Sequence, residues 1–307
     1  LPPAGDDVKA PLHVGLNGLF LARPTTGSGR YLLQLAHWLP RVAPELSYTL
    51  LVPSNPDFPA PPSQWGSGAA RPSFRLATVP FPLKEQNLAK LYLEQIGLPR
   101  TGRQAGVRLL HYPYFAAPLR SVVPVIATVH DLIPLLLPEY RRSWLVRAYT
   151  ALVARAVQRA AHVITDSMAS RSDILNTLKV APDRVTVIPL APAEAYRPLD
   201  DPEPIAAVRD RYGLHDEYVI YLGSFEHRKN LPTLLRAFAR ARQEPGFTAR
   251  LALAGRVPPP GPLFPDVRRI VRELGLEDAV SWLGPVSDDE ANALYNGALA
   301  FVFPSRS

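Results

Sequence analysis

Short apolar runs alternate with stretches whose apolar positions recur every three or four residues, and the alternation persists along almost the whole chain. Several runs are continuous Val, Ile and Leu, as strands covered on both faces require. The pattern predicts strands over 12–17, 47–52, 74–79, 107–111, 125–129, 162–165, 185–189, 218–222, 249–254, 279–283 and 300–303. Helical periodicity falls between them, over 28–39, 88–96, 143–161, 170–177, 231–242, 265–274 and 288–296. Strands and helices in this order argue for parallel α/β layers. The rhythm breaks over 190–204, where Pro is frequent and no apolar period survives. A boundary there gives an N-terminal domain over 1–195 and a C-terminal domain over 196–307. A second Pro- and Gly-rich segment, 53–72, reads as a long surface loop.

Composition narrows the picture without changing it. A chain of 307 residues is long enough for two cores. It has no Cys, which removes disulfides and thiolate metal sites. No apolar run approaches the ~18 residues of a membrane span. The opening Leu1-Pro2-Pro3 is no signal peptide, and with Met168 the single Met the chain is expected to be processed or trimmed. A net charge of +7 favours anionic partners, and without a nucleic-acid-binding motif that points to phosphorylated small molecules or acidic lipid. The basic helical stretch 140–159 fits either a peripheral helix on an anionic membrane or a packed helix with a solvated face.

Candidate chemistry gathers at predicted strand ends. Tyr218 to Leu222 is a buried strand ending in Gly223-Ser224, with Arg228 and Lys229 just before the helix opened by Asn230-Leu231-Pro232. Asn is a good N-cap and Pro suits a first helical turn. Two cations beside helix-terminal N–H groups make a phosphate cradle, or else a solvated basic turn. The first strand leads to Gly27-Ser28-Gly29, either a second backbone cradle or a flexible loop. Val125 to Val129 ends in His130-Asp131, where a parallel strand delivers side chains to a ligand crevice. His130 there serves a substrate hydroxyl or proton transfer, or caps its strand; His111 is a weaker candidate of the same kind. Ser170 and Asp173 space like a capping box, while Ser167 is kept for the cleft. Gly255-Arg256 and Gly284-Pro285-Val286 end two further strands, as a nucleotide approach or as plain turns, and Ser287 caps the helix that follows. The seven His are dispersed, so no metal site is expected. Neither a phosphate-binding Walker loop nor a Gly-x-Ser-x-Gly elbow is present.

Taken in order, these pieces resemble the family 4 glycosyltransferases. The resemblance rests on Gly27-Ser28-Gly29-Arg30-Tyr31, Val129-His130-Asp131-Leu132-Ile133-Pro134, Val163-Ile164-Thr165-Asp166-Ser167 and Arg184-Val185-Thr186-Val187-Ile188-Pro189. It continues through Tyr221-Leu222-Gly223 with Arg228-Lys229-Asn230, then Leu253-Ala254-Gly255, Trp282-Leu283-Gly284-Pro285-Val286 and Phe301-Val302-Phe303-Pro304-Ser305. It implies a GT-B fold of two Rossmann-like domains, and retaining sugar transfer from a GDP- or UDP-linked donor held between them without a metal cofactor. His130, Arg228 and Lys229 are then catalytic, with Gly27, Ser28, Gly29, Gly223, Ser224, Gly255, Arg256, Pro285 and Val286 on the donor and Asp131 and Ser167 lining the cleft. The acceptor implied is a glycan, a lipid-linked or a small molecule of bacterial polysaccharide synthesis, in the cytoplasm or at the inner membrane face. Two departures stand out. Ser224 replaces a basic residue common in relatives, and the chain stops before the family's Gly-rich loop with its two Glu, so an incomplete second domain is expected. These residues alone are then expected to show little or no transfer, while a longer parent is an ordinary enzyme. A GT-B epimerase, or a binding module without turnover, are the alternatives.

Overall fold

A computed structural model describes residues 11–54, 74–80, 86–140 and 143–306. The chain divides after Ala191 into two compact units. The loop expected over 53–72 lies outside the described residues from 55 onward, as do Arg141 and Arg142 of the basic stretch.

In the first unit, β1 (His13–Asn17), β2 (Ser47–Pro53), β3 (Arg75–Val79), β4 (Leu109–Tyr112), β5 (Val125–Thr128), β6 (His162–Thr165) and β7 (Val185–Val187) form one parallel sheet. Their order is β3-β2-β1-β4-β5-β6-β7. The helices are α1 (Gly27–Val42), α2 (Gln86–Tyr92), α3 (Leu98–Gln104), α4 (Ile133–Leu136), α5 (Trp144–Val157) and α6 (Met168–Asp173). Leu51, Leu110, Ala127, Val153, Val157 and Val163 are among the buried residues of its main core. In the second unit, β8 (Tyr218–Leu222), β9 (Arg250–Ala254), β10 (Val280–Gly284) and β11 (Ala300–Phe301) form a parallel sheet in the order β10-β9-β8-β11. Here α7 (Glu203–Tyr212), α8 (Leu231–Ala241), α9 (Val267–Glu273) and α10 (Asp288–Gly297) cover it. Tyr221, Leu235 and Leu251 fill one core and Tyr218, Ile220 and Leu294 another. Among the described residues, no helix is long and apolar enough to cross a membrane.

All eleven expected strands are present, and the helices depart from expectation in instructive ways. The first was expected to end at Leu39, but α1 runs through Pro40 to Val42, although Pro40 has no N–H to donate into the helix. The helix expected over 88–96 passes instead through a π turn, Leu93–Gly97, into α3. Gly97 permits this, since a Cβ there would stand 2.8 Å from Val79. The capping box expected at Ser170 and Asp173 is corrected: α6 starts earlier, and Ser167 takes the Ser170 N–H at 3.1 Å. Helix α7 begins at the edge of the expected connector, and it had no legible period because Val208 is its one buried residue. It docks on α10 through polar groups, with Tyr212 donating to Glu290 at 3.1 Å and Arg211 paired to the same carboxylate. The N-terminal turn of α5 exposes Trp144, Leu145 and Val146, whereas Thr150, Val153, Ala156 and Val157 pack inward.

One buried carboxylate ties the ends of β1 and β4 to these helices. Glu94 is fully buried in the π turn and accepts from Tyr114 and Tyr149, each at 2.8 Å. Tyr112 donates to its backbone carbonyl, and Asn17 donates to Tyr114 at 2.8 Å. Burial pushes the Glu94 carboxyl above its usual 4.5, against the pull of Lys90 and the two phenols. The folded chain therefore holds this proton more tightly than the unfolded chain. Stability from this group declines as pH rises from 4.5 toward the raised native value, and is level above it. Glu94→Gln is expected to gain stability relative to the parent across that window, as read by urea denaturation at successive pH values. A difference independent of pH would contradict the assignment.

Candidate active site

In a parallel sheet all strands deliver their C-terminal residues to one edge, and at that edge of the first unit lies a cavity of about 380 Å³. Its walls include Thr26, Gly27, Ser28, Tyr31, His130, Asp131 and Asp166. The first three form the N-terminus of α1, where Thr26 caps by accepting from Gly29 N–H at 3.2 Å. The two glycines differ in purpose. A Cβ on Gly29 would stand 2.0 Å from the Arg23 carbonyl oxygen, so Gly29 is needed for the loop to close on itself. A Cβ on Gly27 would meet nothing within 4 Å.

His130 is held on several sides. Its Nδ1 donates to Asp166 Oδ2 at 2.6 Å, and its backbone carbonyl accepts from Ser170 Oγ at 2.8 Å. Tyr31 meets the imidazole edge to face, 4.7 Å between ring centres. The Tyr31 hydroxyl lies 3.3 Å from Thr128 Oγ1, which lies 2.8 Å from His111 Nε2. Burial, and then the neighbouring His130, push His111 down to about 4, so it stays neutral beneath the cavity and does not line it. Asp131 lines the wall and accepts the Ile133 N–H at 3.0 Å, at the first residue of α4. Ser167 is not a wall residue; it reaches His130 indirectly by donating to Ser170 Oγ.

In the second unit, Gly223, Ser224, Arg228 and Lys229 follow β8, with Gly255 and Arg256 after β9 and Gly284, Pro285 and Val286 at the end of β10. The strand ends are laced together: Gly223 N–H donates to Ala254 at 3.0 Å, and Gly255 N–H to Gly284 at 2.8 Å. Ser224, Arg256 and Pro285 are exposed and Val286 is half-buried. The expectation of a cradle of open N–H groups needs correction. The N–H groups of His227, Lys229, Asn230, Thr233 and Leu234 already donate within the unit, and Pro232 has none. Asn230 does not cap α8 with its side chain; it sits in the left-handed region at φ 59°, and its Oδ1 accepts from Thr233 Oγ1. Arg228 is bound to Glu226, while the Lys229 ammonium lies 4.4 Å from the centre of the Phe303 ring. Phe303 in turn stacks on Tyr221, 6.1 Å away and 14° from parallel.

The sequence reading missed Tyr31, Asp166, Glu226 and Phe303 as members of these sites. The signal for Asp166 lies in strand register. Thr128 pairs with Ile164, so residues two further on, His130 and Asp166, emerge side by side. That signal becomes readable only once β5 and β6 are known to be neighbours.

A family model described as Glycosyltransferase Family 4 matches residues 25–191, and one described as Glycosyl transferases group 1 matches 209–307. The O-antigen chain mannosyltransferase B of Escherichia coli is 28% identical over 289 residues, 92% of this chain and 73% of that protein. The serotype-specific mannosyltransferase WbdA of Escherichia coli is 30% identical over 183 residues, 59% of this chain. That match spans 22% of WbdA's length. Among solved structures, sucrose-phosphate synthase from Thermosynechococcus elongatus aligns with TM-score 0.66 at 19% identity, covering 96% of this chain and 75% of its own. Anabaena HepE in complex with UDP and glucose aligns with TM-score 0.62 at 15% identity, over 96% and 75%. At such identities the structural likeness speaks for the fold, which is the expected GT-B pairing of two Rossmann-like parallel α/β units.

Proposed function

The chain belongs to Glycosyltransferase Family 4, and we propose that it transfers a hexosyl group from a nucleoside-diphosphate sugar to an acceptor hydroxyl with retention of anomeric configuration. The observation that carries this reading is His130. It stands at the C-terminal edge of a parallel sheet, on a cavity wall, with a buried Nε2 that has no hydrogen-bond partner among the described residues. The described residues lining that cavity include two carboxylates and no Lys or Arg. Such a wall suits sugar hydroxyls and an anomeric carbon gaining positive charge. In the second unit, Lys229 and Arg228 are the cations we assign to countering the negative charge that builds on a departing diphosphate.

Relatives named as mannosyltransferases favour a mannosyl donor, and those named for O-antigen chains favour a growing glycan as acceptor. HepE was solved with UDP, which supports a nucleotide as the leaving group. Thermal unfolding of the chain with a panel of GDP- and UDP-linked hexoses tests donor recognition. A true donor at 100 times its dissociation constant is expected to add ~2.7 kcal/mol, while a flat response across the panel would remove the reading.

A further inference from the structure

Beyond the pairing itself, the chemistry of the His130–Asp166 contact fixes where the imidazole hydrogen lies. The two residues leave adjacent strands in register, and Nδ1 stands 2.6 Å from Asp166 Oδ2. An ionised carboxylate only accepts hydrogen bonds, so Nδ1 carries the hydrogen. We infer that Asp166 is a positioning residue, which holds His130 as the Nδ1–H tautomer and leaves Nε2 as a hydrogen-bond acceptor for a ligand hydroxyl. Three further contacts keep the ring from escaping this role. Ser170 holds the His130 backbone carbonyl, Tyr31 flanks the ring, and Ser167 holds Ser170.

Nε2 is buried and has no partner among the described residues, and the same is true of Asp166 Oδ1. Buried polar atoms in folded proteins are nearly always bonded, so an orphan on a cavity wall is reserved for something that enters. An acceptor nitrogen is satisfied by an O–H or N–H donor. A phosphate oxygen is itself an acceptor, and Asp166 would repel it. The group that Nε2 takes is therefore a hydroxyl of the donor sugar. That last step rests on the transfer reading proposed above, whereas the tautomer does not.

Histidine-directed ¹⁵N NMR of the full chain tests the inference, with His130→Gln used to assign the resonances. In the parent, His130 is expected to show a protonated Nδ1 and a bare Nε2. Asp166→Ala is expected to move hydrogen onto Nε2, while Asp166→Asn, whose amide oxygen still accepts from Nδ1, keeps the parent pattern. Affinity for a nucleotide sugar, measured alongside, is expected to fall ~10-fold in Asp166→Ala and to recover in Asp166→Asn, which corresponds to ~1.4 kcal/mol. Binding of the bare nucleoside diphosphate is expected to be the same in all three. A parent chain with Nε2 protonated, or an Asp166→Ala chain with an unchanged tautomer, would overturn the inference. Should Asp166→Ala fail to fold, the parent and Asp166→Asn spectra still decide it. If the tautomer is as expected and no nucleotide sugar moves the His130 resonances, the hydroxyl assignment falls together with the transfer reading.

Discussion

Replacing Lys229 with Ala in the full-length gene product is expected to lower kcat by ~100-fold or more while leaving the fold intact. When the anomeric bond breaks, the diphosphate gains charge that some group in the protein must meet. Donors placed for such developing charge are typically worth ~3 kcal/mol of barrier, which is a little over two factors of ten in rate. Arg228 is paired with Glu226, and Lys229 is the next cation of the same turn. The ammonium is held against the Phe303 ring, which itself rests on Tyr221. Losing that contact costs the fold about 0.5–1 kcal/mol at an accessible site. Steady-state kinetics and a melting curve on the same sample check the pair of expectations. Normal turnover in a well-folded Lys229→Ala chain would take Lys229 out of the mechanism.

The largest stability loss is expected at Gly255. Its φ of +136° lies in the region L side chains avoid, and a Cβ there would stand 2.1 Å from the Gly223 carbonyl oxygen. That carbonyl belongs to the backbone of the turn carrying Arg228 and Lys229, so it yields only if β8 and β9 separate at their ends. Gly255→Ala is expected to cost about 3 kcal/mol or more from strain and overlap together. A melting temperature lower by about 10 °C follows for a unit of this size. Gly213→Ala is the comparison: φ is +63°, but a Cβ would meet nothing within 4 Å. That change should cost only about 1 kcal/mol. Equal melting temperatures for the two variants would mean that the overlap at Gly255 carries no weight.

Most of the architecture was legible because parallel α/β units write themselves as apolar runs. β2 is buried from Tyr48 to Pro53, and β9 from Leu251 to Ala254, so each stands out without any knowledge of its neighbours. What stayed hidden depends on partners distant in sequence. Helix α7 buries only Val208 and is held by Glu290, some eighty residues away. The site divided in the same way. His130 was visible as the end of a strand, but Asp166 needed the β5–β6 register, and Phe303 needed β11 to lie beside β8. Gly255 was visible for a different reason than the structure gives. It was read as a place for a nucleotide to approach or as a plain turn, and the Gly223 carbonyl that a Cβ there would meet could not be read from the sequence.

The most direct measurement is transfer by the full-length gene product, with a GDP- or UDP-hexose, a glycan acceptor and EDTA present, and the product's anomeric configuration read by NMR. Release of nucleoside diphosphate is expected together with an acceptor glycoside that keeps the donor's configuration, with loss of both in Lys229→Ala. A full-length gene product that binds the nucleotide sugar yet forms no product, or that forms the inverted glycoside, would contradict the proposed transfer.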